Sequence, residues 1–230
     1  MKNWWKILTV IVMFYVIFQG LLGTVPRQPI LNESIRNLYF HVTMWFAMIS
    51  MLLLSVIYSV RYLRSNAIQD DERSAEFAKT GILFGVLGCV TGSLWANFTW
   101  GEPWPNDPKL NSAAVGMLIY FAYLLLRNSF EDEQRRGRIS AVYNIFAFAV
   151  FVPLIFVLPR LTDSLHPGNG GNPAFSSYDL DNQMRLVFYP ASIGWILLGL
   201  WITQLRYRLK AVHRKQLENL AERPLERINS

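Results

Sequence analysis

The sequence predicts an all-α fold, a polytopic membrane protein built as a bundle of six transmembrane helices with both termini in the cytoplasm. Six apolar stretches are long enough to cross the hydrocarbon core of a bilayer, which takes about 20 residues. Charged residues make up only 17% of the 230 residues, whereas a soluble domain carries about 25%. The connections between the stretches are short, so residues 1–230 are interpreted as a single integral membrane domain.

The six predicted spans follow one another along the chain. The first, Trp4–Leu22, has a longer apolar run than a signal peptide, which usually has 7–15 apolar residues, so we interpret it as a retained helix. The others lie at residues 38–60, 81–100, 110–126, 139–159 and 186–205. Because backbone polar groups must be paired within each segment in lipid, we expect every span to be helical.

The distribution of lysine and arginine predicts the orientation of the bundle. If the N-terminus is cytoplasmic, 17 of the 22 lysines and arginines lie on the cytoplasmic side. The five on the outer side are Arg27, Arg36, Lys109, Arg160 and Arg185. Positive residues collect beside the cytoplasmic ends of spans, so the net charge of +6 is interpreted as a topology signal. Nucleic-acid binding needs a clustered basic face with reading elements, and it is not predicted.

The composition excludes several kinds of chemistry. Cys89 is the one cysteine of the sequence, so an internal disulfide and a cysteine-based metal site cannot form. The sequence has no Gly-x-x-x-x-Gly-Lys-Ser/Thr stretch and therefore encodes no P-loop ATPase. No pair of carboxylates lies within a span, so little supports a membrane-embedded enzyme.

Two histidines fall on the predicted outer side. His41 lies about one turn inside the second span, where an ionisable residue is costly enough to suggest a function. The alternative is a histidine at the headgroup level that bonds a carbonyl group. His166 lies in a loop rich in proline and glycine, which forbid a helix there, and its alternative interpretation is a solvated loop residue.

Between these histidines in the sequence lies a strip rich in tryptophan and proline, residues 100–109. Trp100 and Trp104 stand among three prolines, which exclude a regular helix. Trp95, five residues earlier, could extend the strip. We interpret the strip as a platform for a flat ligand, although tryptophan also collects at membrane interfaces as an aromatic belt. Asp107, followed by proline, matches the start of the fourth helix and could also shape the platform.

Two imidazoles and an aromatic strip on one side of a membrane favour haem as the ligand. Imidazole binds iron well, and porphyrin is flat and apolar with anionic propionates. Arg36 and Lys109 are the outer cations nearest to His41 and to the tryptophan strip, and Arg185 is a further candidate.

Three signatures, in order along the chain, resemble those of the CcmC family, the haem-handling membrane proteins of bacterial cytochrome c maturation system I. More widely they resemble haem-handling proteins with a WWD domain. The first signature, Arg36-Asn-Leu-Tyr-Phe-His41-Val42, is similar to R-x-x-Y-x-H-V. The second, Thr91-Gly-Ser-Leu-Trp95 with Trp100-Gly-Glu-Pro-Trp104-Pro-Asn-Asp107-Pro-Lys109-Leu110, is similar to T-G-S-x-W and W-G-x-W-W-x-W-D-x-R-L. The third, Ser164-Leu-His166-Pro-Gly168, is similar to T-L-H-x-G.

The departures from the family pattern fall inside the second signature. Pro103 and Asn106 stand where the family usually has tryptophan, so the strip keeps two of four tryptophans. Lys109 replaces arginine, which keeps the charge but loses the bidentate fork that suits a carboxylate.

The resemblance implies a non-enzymatic protein that holds haem b, non-covalently or in transit, on the periplasmic side of the bacterial inner membrane. It implies that His41 and His166 are the axial ligands of the iron. The remaining haem-binding residues that it implies are Trp95, Trp100, Trp104, Asp107, Arg36 and Lys109. It further implies delivery of haem to the haem chaperone CcmE, together with the ABC transporter subunits CcmA and CcmB and the small membrane helper CcmD.

Two other functions stay open at this point. A bis-histidine electron-transfer subunit of the cytochrome b type would usually carry both histidines on spans, whereas His166 lies in a loop. A plain transporter permease would have polar or broken helices near the midplane, whereas the sequence shows no charged residue in the middle of a span.

Overall fold

The protein is described by a computed structural model that covers residues 3–26, 31–166 and 180–221, the last five as backbone alone. The fold is all-α over these residues, and six helices are long and apolar enough to span a membrane, which confirms the predicted fold class. We label them α1 (Trp4–Leu22), α2 (His41–Ser65), α3 (Ile68–Trp100), α4 (Pro108–Asn128), α5 (Glu133–Phe156) and α6 (Asn182–Ala221). Short 3₁₀ helices at Asn32–Tyr39 and Leu158–Arg160 precede α2 and follow α5.

Each predicted span falls on one of the six helices. The cytoplasmic position of the termini stays a prediction, as does the interpretation of residues 1–230 as one domain. Four of the cations that predict the orientation lie outside the described residues, namely Lys2, Arg27, Arg223 and Arg227.

The centre of the bundle is formed by α2, which packs against α3, α5 and α6. Its buried face carries Met44, Met48, Met51 and Leu52. Gly81 of α3 lets the two helices approach closely, because a Cβ at that position would lie 2.8 Å from Cδ2 of Leu52. The long, flexible methionine side chains fill the irregular space between the helices.

Two helices are much longer than their predicted spans. α3 has 33 residues and begins at Ile68, whereas the predicted span begins at residue 81. α6 has 40 residues, so at 1.5 Å per residue it is about 60 Å long. That length is about twice the thickness of a hydrocarbon core, about 30 Å, so both helices continue as helix through polar sequence.

The polar first half of α3 is helical and buried because cations from other helices surround it. Four acidic side chains in this half are each less than a tenth exposed, namely Asp70, Asp71, Glu72 and Glu76. Two nitrogen atoms of Arg127, on α4, lie 2.8 and 2.5 Å from the two carboxylate oxygens of Asp71. A buried carboxylate is tolerated when it is paired and hydrogen-bonded in this way.

The basic end of α6 completes this set of contacts. Arg206 donates to Glu76 from Nε at 2.8 Å, and Arg214 donates to Glu72 at 2.8 Å. Lys210 lies 3.7 Å from Glu72. We call these four acids and their partners Arg61, Arg73, Lys79, Arg127, Arg206, Lys210 and Arg214 the ion-pair layer. The cations that the sequence presents as a topology signal thus also hold four helices together, α2, α3, α4 and α6.

Candidate functional site

The candidate site lies at the end of the bundle opposite the ion-pair layer, where α2 begins, α3 ends and α4 begins. α3 ends at Gly101, whose φ of +84° is in the left-handed region that glycine adopts without strain. The chain then passes through residues 102–106 without regular structure and enters α4 at Pro108. The segment that contains His166 returns to the same place after the 3₁₀ turn Leu158–Arg160.

His41 is the first residue of α2, and its ring is packed against α3. Its Nδ1 lies 3.0 Å from the carbonyl oxygen of Gly88 and 3.3 Å from the hydroxyl oxygen of Thr91. The rings of Trp45 and Trp95 meet it edge to face, with centroids 6.4 and 5.9 Å away. The carbonyl contact expected of a headgroup-level histidine is therefore present, but it is made to a helix rather than to a loop.

The contact with Gly88 determines which nitrogen of His41 carries the hydrogen. A carbonyl oxygen can only accept a hydrogen bond, so Nδ1 is the donor. In a neutral imidazole the other nitrogen, Nε2, then bears the lone pair. A metal ion binds that lone pair. At metal-binding histidines the opposite ring nitrogen usually donates a hydrogen bond to a neighbouring acceptor, as Nδ1 does here.

Asp107 links the start of α4 to the segment that carries His166. Its Oδ1 accepts hydrogen bonds from the backbone nitrogens of Lys109 and Leu110, at 2.9 and 3.3 Å, and so caps the helix as the sequence predicts. Its Oδ2 accepts from the Ser164 hydroxyl group at 2.9 Å and from the Leu165 backbone nitrogen at 2.7 Å. One carboxylate therefore fastens a second chain segment to the helix that it caps.

The same carboxylate orients His166. The Nδ1 of His166 lies 3.2 Å from Oδ1 of Asp107, and a carboxylate accepts the hydrogen bond, so Nε2 is again left with the lone pair. Burial raises the pKa of Asp107, but hydrogen bonds from His166, Leu165 and Ser164 outweigh it and hold the pKa well below its ordinary value. Asp107 is therefore an anion at neutral pH and a strong acceptor for the imidazole.

The three predicted tryptophans take different positions. Trp100 meets the His166 ring at a centroid distance of 4.9 Å and an interplanar angle of 63°. Trp95 packs on His41, and its Nε1 donates to the Ser34 hydroxyl group at 3.0 Å. Trp104 is 37% exposed, and its Nε1 contacts the side chain of Asn111 at 3.3 Å. Trp100 therefore lies beside His166, Trp95 lies beside His41, and Trp104 lies at the surface.

The two predicted cations differ in their surroundings. Arg36 bonds the carbonyl oxygens of Gly20 and Gly23, at 3.4 and 2.5 Å, and Glu33 at 2.9 Å, so it joins the 3₁₀ helix Asn32–Tyr39 to the end of α1. Lys109 is half-buried in the first turn of α4, within range of the charges of Asp107 and Arg160. Arg36 therefore has a structural role that the sequence alone does not indicate.

The structure brings the two histidines to the same end of the bundle, where α2 begins, α3 ends and α4 begins. Their Nδ1 atoms are both occupied by acceptors, one a neutral carbonyl and the other a carboxylate. Pro167 and Gly168, which complete the third signature, lie outside the described residues. Gly88 and Thr91 are partners that sequence reasoning missed, because they are 47 and 50 positions from His41.

The donor set fits a haem. Two imidazoles with Nε2 lone pairs supply axial ligands of the kind that haem iron takes, and neighbouring indoles supply aromatic surface. Lys109 supplies positive charge for a propionate. No cluster of three or more His, Cys, Asp or Glu residues that could hold a bare metal ion occurs in residues 3–26, 31–166 and 180–216.

Comparison with known proteins finds a family model and several relatives that resemble this chain. The family model CcmC, described as heme exporter protein C, matches residues 1–222. A heme exporter protein C of Escherichia coli (strain K12) is 28% identical over 134 residues, 58% of this chain and 53% of that protein. That of Bradyrhizobium diazoefficiens is 24% identical over 225 residues, 95% of this chain and 84% of that protein.

A second group of relatives carries a different name. The cytochrome c biogenesis protein CcsA of Pelargonium hortorum is 33% identical over 113 residues, which are 49% of this chain and 35% of that protein. The match spans about half the length of the Escherichia coli relatives and about a third of the Pelargonium relative.

Proposed function

Because this chain belongs to the CcmC family, whose members are described as heme exporter protein C, we propose that it is a multi-pass membrane protein that binds haem for cytochrome c maturation and passes it on. The observation that carries the proposal is the convergence of His41 and His166 at one end of the bundle, each with its Nδ1 hydrogen-bonded. Haem is the cargo of the protein, so its binding must be both specific and reversible.

His41 and His166 are the proposed axial ligands of haem b. Both reach the iron through Nε2, because the Nδ1 atoms are held by Gly88 and Asp107. The hydrogen bond from Nδ1 of His166 to the carboxylate of Asp107 holds the imidazole in one tautomer and one orientation. His41 is the first residue of a helix, whereas His166 lies in a non-helical segment that Asp107 fastens to α4.

Trp100 and Trp95 are proposed to flank the porphyrin beside the histidines that they contact. Lys109 is the proposed partner of a propionate. Arg36 is the proposed second cation, although Glu33 and the carbonyl groups at the end of α1 share its donors. The replacement of arginine by Lys109 gives a point charge in place of a planar fork, so propionate recognition depends less on geometry in this chain.

The proposed site lies on the periplasmic side of the bacterial inner membrane, in keeping with the orientation that the lysine and arginine distribution predicts. The proposed recipient of haem is the chaperone CcmE. The proposed assembly includes the ABC transporter subunits CcmA and CcmB and the small helper CcmD, and in this assembly CcmA would hydrolyse ATP. Trp104 is the proposed contact with the chaperone, because an exposed tryptophan commonly anchors a protein interface.

The absorption spectrum of the purified protein tests the proposal. We expect the wild type to show a Soret band with the features of low-spin, bis-histidine haem, and His41→Ala and His166→Ala each to lose haem or become high-spin. His213→Ala, which removes an exposed histidine at the other end of α6, is the matched control and should leave the spectrum unchanged. Unchanged spectra in both ligand variants would exclude the proposed ligation.

Transfer of haem separates this function from that of an electron-transfer subunit. Haem-loaded protein is mixed with apo-chaperone, and the haem content of each partner is measured after separation. Haem handling requires net movement of haem to the chaperone. Retention of haem through repeated cycles of reduction and oxidation, with no movement to the chaperone, would favour the cytochrome b alternative.

A further inference from the structure

We propose that Gly88, Thr91 and Gly92 of α3 are positioning residues that form a seat for the imidazole of His41. The inference rests on the proposed function, because it concerns how one of the two proposed ligands is aimed. The seat acts on the ligand through a hydrogen bond, which selects the tautomer, and through the shape of α3, which fixes the plane of the ring.

The hydrogen bonds of Thr91 make it an acceptor for His41. Its hydroxyl oxygen lies 2.8 Å from the carbonyl oxygen of Leu87 and 3.1 Å from that of Gly88. The single hydroxyl hydrogen must therefore point toward these carbonyl groups, and the lone pairs face Nδ1 of His41 at 3.3 Å. Nδ1–H is thus shared between two acceptors of α3, and a ring with Nδ1 unprotonated would lose the hydrogen bond to the Gly88 carbonyl, which can only accept.

The absence of a side chain at Gly92 provides the room for the ring. A Cβ built on Gly92 would lie 2.6 Å from Cε1 of His41, 3.1 Å from Nδ1 and 3.5 Å from Nε2. Real Cβ atoms essentially never lie within 3.0 Å of another atom in this way. Alanine at this position would consequently push the ring away from α3 and toward the place where the iron is proposed to bind.

Gly88, one turn before Gly92, leaves room for an aromatic ring in the same way. A Cβ there would lie 2.9 Å from Nε1 of Trp45. Gly88 and Gly92 are four residues apart on α3, and His41 and Trp45 are four residues apart on α2, so each pair lies on one helix face. The ring of His41 fits against Gly92 and the ring of Trp45 fits against Gly88. This pairing fixes the register of α2 against α3.

The ring is also contacted by Trp95, a further residue of α3. This indole meets His41 at an interplanar angle of 76° and is itself fixed by Ser34 at 3.0 Å. His41 therefore has little freedom to rotate. Since outer partners of a metal ligand orient it, the seat gives His41 a fixed direction.

The first test is Gly92→Ala in the full-length, haem-loaded protein. The matched control is Gly116→Ala, where a Cβ would lie 2.7 Å from Cδ2 of Phe151 in the core. We expect both variants to lower the unfolding temperature of the haem-free protein. Gly92→Ala should in addition lower haem affinity roughly 10- to 100-fold, the usual effect of disturbing the groups that orient a metal ligand. It should also shift the low-spin spectrum. The control should keep the wild-type haem affinity and spectrum.

A second test avoids the clash and thus does not depend on whether Gly92→Ala folds. His41→Gly removes the ring, and free imidazole added to the haem-loaded variant can occupy the seat and restore the low-spin spectrum. We expect the double variant His41→Gly/Gly92→Ala to need roughly 10- to 100-fold more imidazole for the same restoration. Equal restoration with and without the alanine would overturn the proposed seat.

The outcomes distinguish this inference from the proposed function. If the His41→Gly variant has the same spectrum as the wild type, His41 is not a ligand and the proposed function fails at this residue. If His41→Gly changes the spectrum but Gly92→Ala and Thr91→Val do not, the ligand is right and the seat is wrong. Thr91→Val is expected to keep haem and to shift the spectrum or the reduction potential of the iron.

Discussion

The Nδ1 of His166 lies 3.2 Å from Oδ1 of Asp107, a residue 59 positions earlier in the sequence. The same carboxylate caps α4 and binds the backbone nitrogen of Leu165. Helix start, loop position and orientation of the imidazole thus depend on one buried side chain. Substitution of Asp107 should therefore affect several properties together.

Asp107→Asn should weaken both the fold and haem retention. Asparagine can still cap a helix, but it loses the negative charge that His166, Leu165 and Ser164 share. We expect a loss of about 1–3 kcal/mol in the free energy of unfolding, since buried hydrogen-bond donors lose their ionised acceptor. Chemical or thermal unfolding in detergent measures the loss, and the absorption spectrum measures haem.

Asp132→Asn is the control for that variant. Asp132 caps α5 by accepting from the backbone nitrogen of Arg135 at 2.6 Å, at the opposite end of the bundle. Asp132→Asn should lower the free energy of unfolding by a few tenths of a kcal/mol or less, because asparagine caps about as well as aspartate. Haem retention should be normal. Equal effects of the two variants on haem would show that Asp107 acts only as a cap.

The stability that Asp107 contributes should depend on pH in a defined direction. The pKa of Asp107 is held below its ordinary value, so the folded state favours the ionised form. Its contribution is fully present above the unfolded pKa of about 3.9 and is lost as the pH falls from there toward the folded pKa. The difference in unfolding temperature between wild type and Asp107→Asn should thus shrink as the pH falls below about 4. A difference that keeps its full size well below that pH would contradict this assignment.

The predicted orientation can be tested by labelling single cysteines in a Cys89→Ser background. Asp163 lies in the exposed segment before His166, and Ser65 is exposed at the end of α2. We expect a membrane-impermeant thiol reagent to label Asp163→Cys in intact cells and Ser65→Cys only after the membrane is opened. Labelling of Ser65→Cys from outside would invert the topology and move the candidate site to the cytoplasm.

Removal of one partner from the ion-pair layer should be more harmful than removal of two. Arg127→Met leaves the carboxylate of Asp71 buried without its bidentate partner, which should cost about 3–5 kcal/mol. The double variant Arg127→Met/Asp71→Leu should recover most of that loss, because an apolar pair of similar volume often replaces a buried ion pair at little cost. A double-mutant cycle of unfolding free energies checks this, and additive losses would contradict it.

Trp104→Ala should separate haem binding from haem transfer. The side chain is exposed, whereas Trp100 contacts His166. We expect Trp104→Ala to keep most of its haem and to slow transfer to the chaperone. Trp100→Ala should lower haem affinity by up to about tenfold, given about 0.5–1.5 kcal/mol for an aromatic contact. Normal transfer by the Trp104 variant would leave it a residue of the membrane interface alone.

Local patterns were sufficient to predict the features that depend on neighbouring residues. Asp107 followed by Pro108 predicted a helix start, and the structure confirms it. The six helices follow from runs of apolar residues in the same way. The partners of His41 could not be predicted, because Gly88 and Thr91 become neighbours only when α2 and α3 pack together.

The lengths of α3 and α6 were not predictable for a related reason. Hydropathy treats each charge as a barrier to burial, whereas Glu72 is buried because Arg214 and Lys210, far along the chain, neutralise it. Arg36 is the opposite case: the sequence suggested a cation for a ligand, whereas its donors bond the end of α1 and Glu33. A sequence indicates which groups carry charge, while packing determines which charges remain for a ligand.

The ion-pair layer sets an order of events during biosynthesis. Asp71 is made before Arg127, and Glu72 and Glu76 are made long before the cations of α6, so these acids enter the membrane region ahead of their partners. Acidic residues contribute little to the orientation of a nascent chain, so the lysines and arginines can direct insertion first and join the helices later. A chain that stops before Arg206 would contain all six apolar runs, but Glu72 and Glu76 would lack the cations of α6, so the ion-pair layer is complete only when the polar half of α6 has been made.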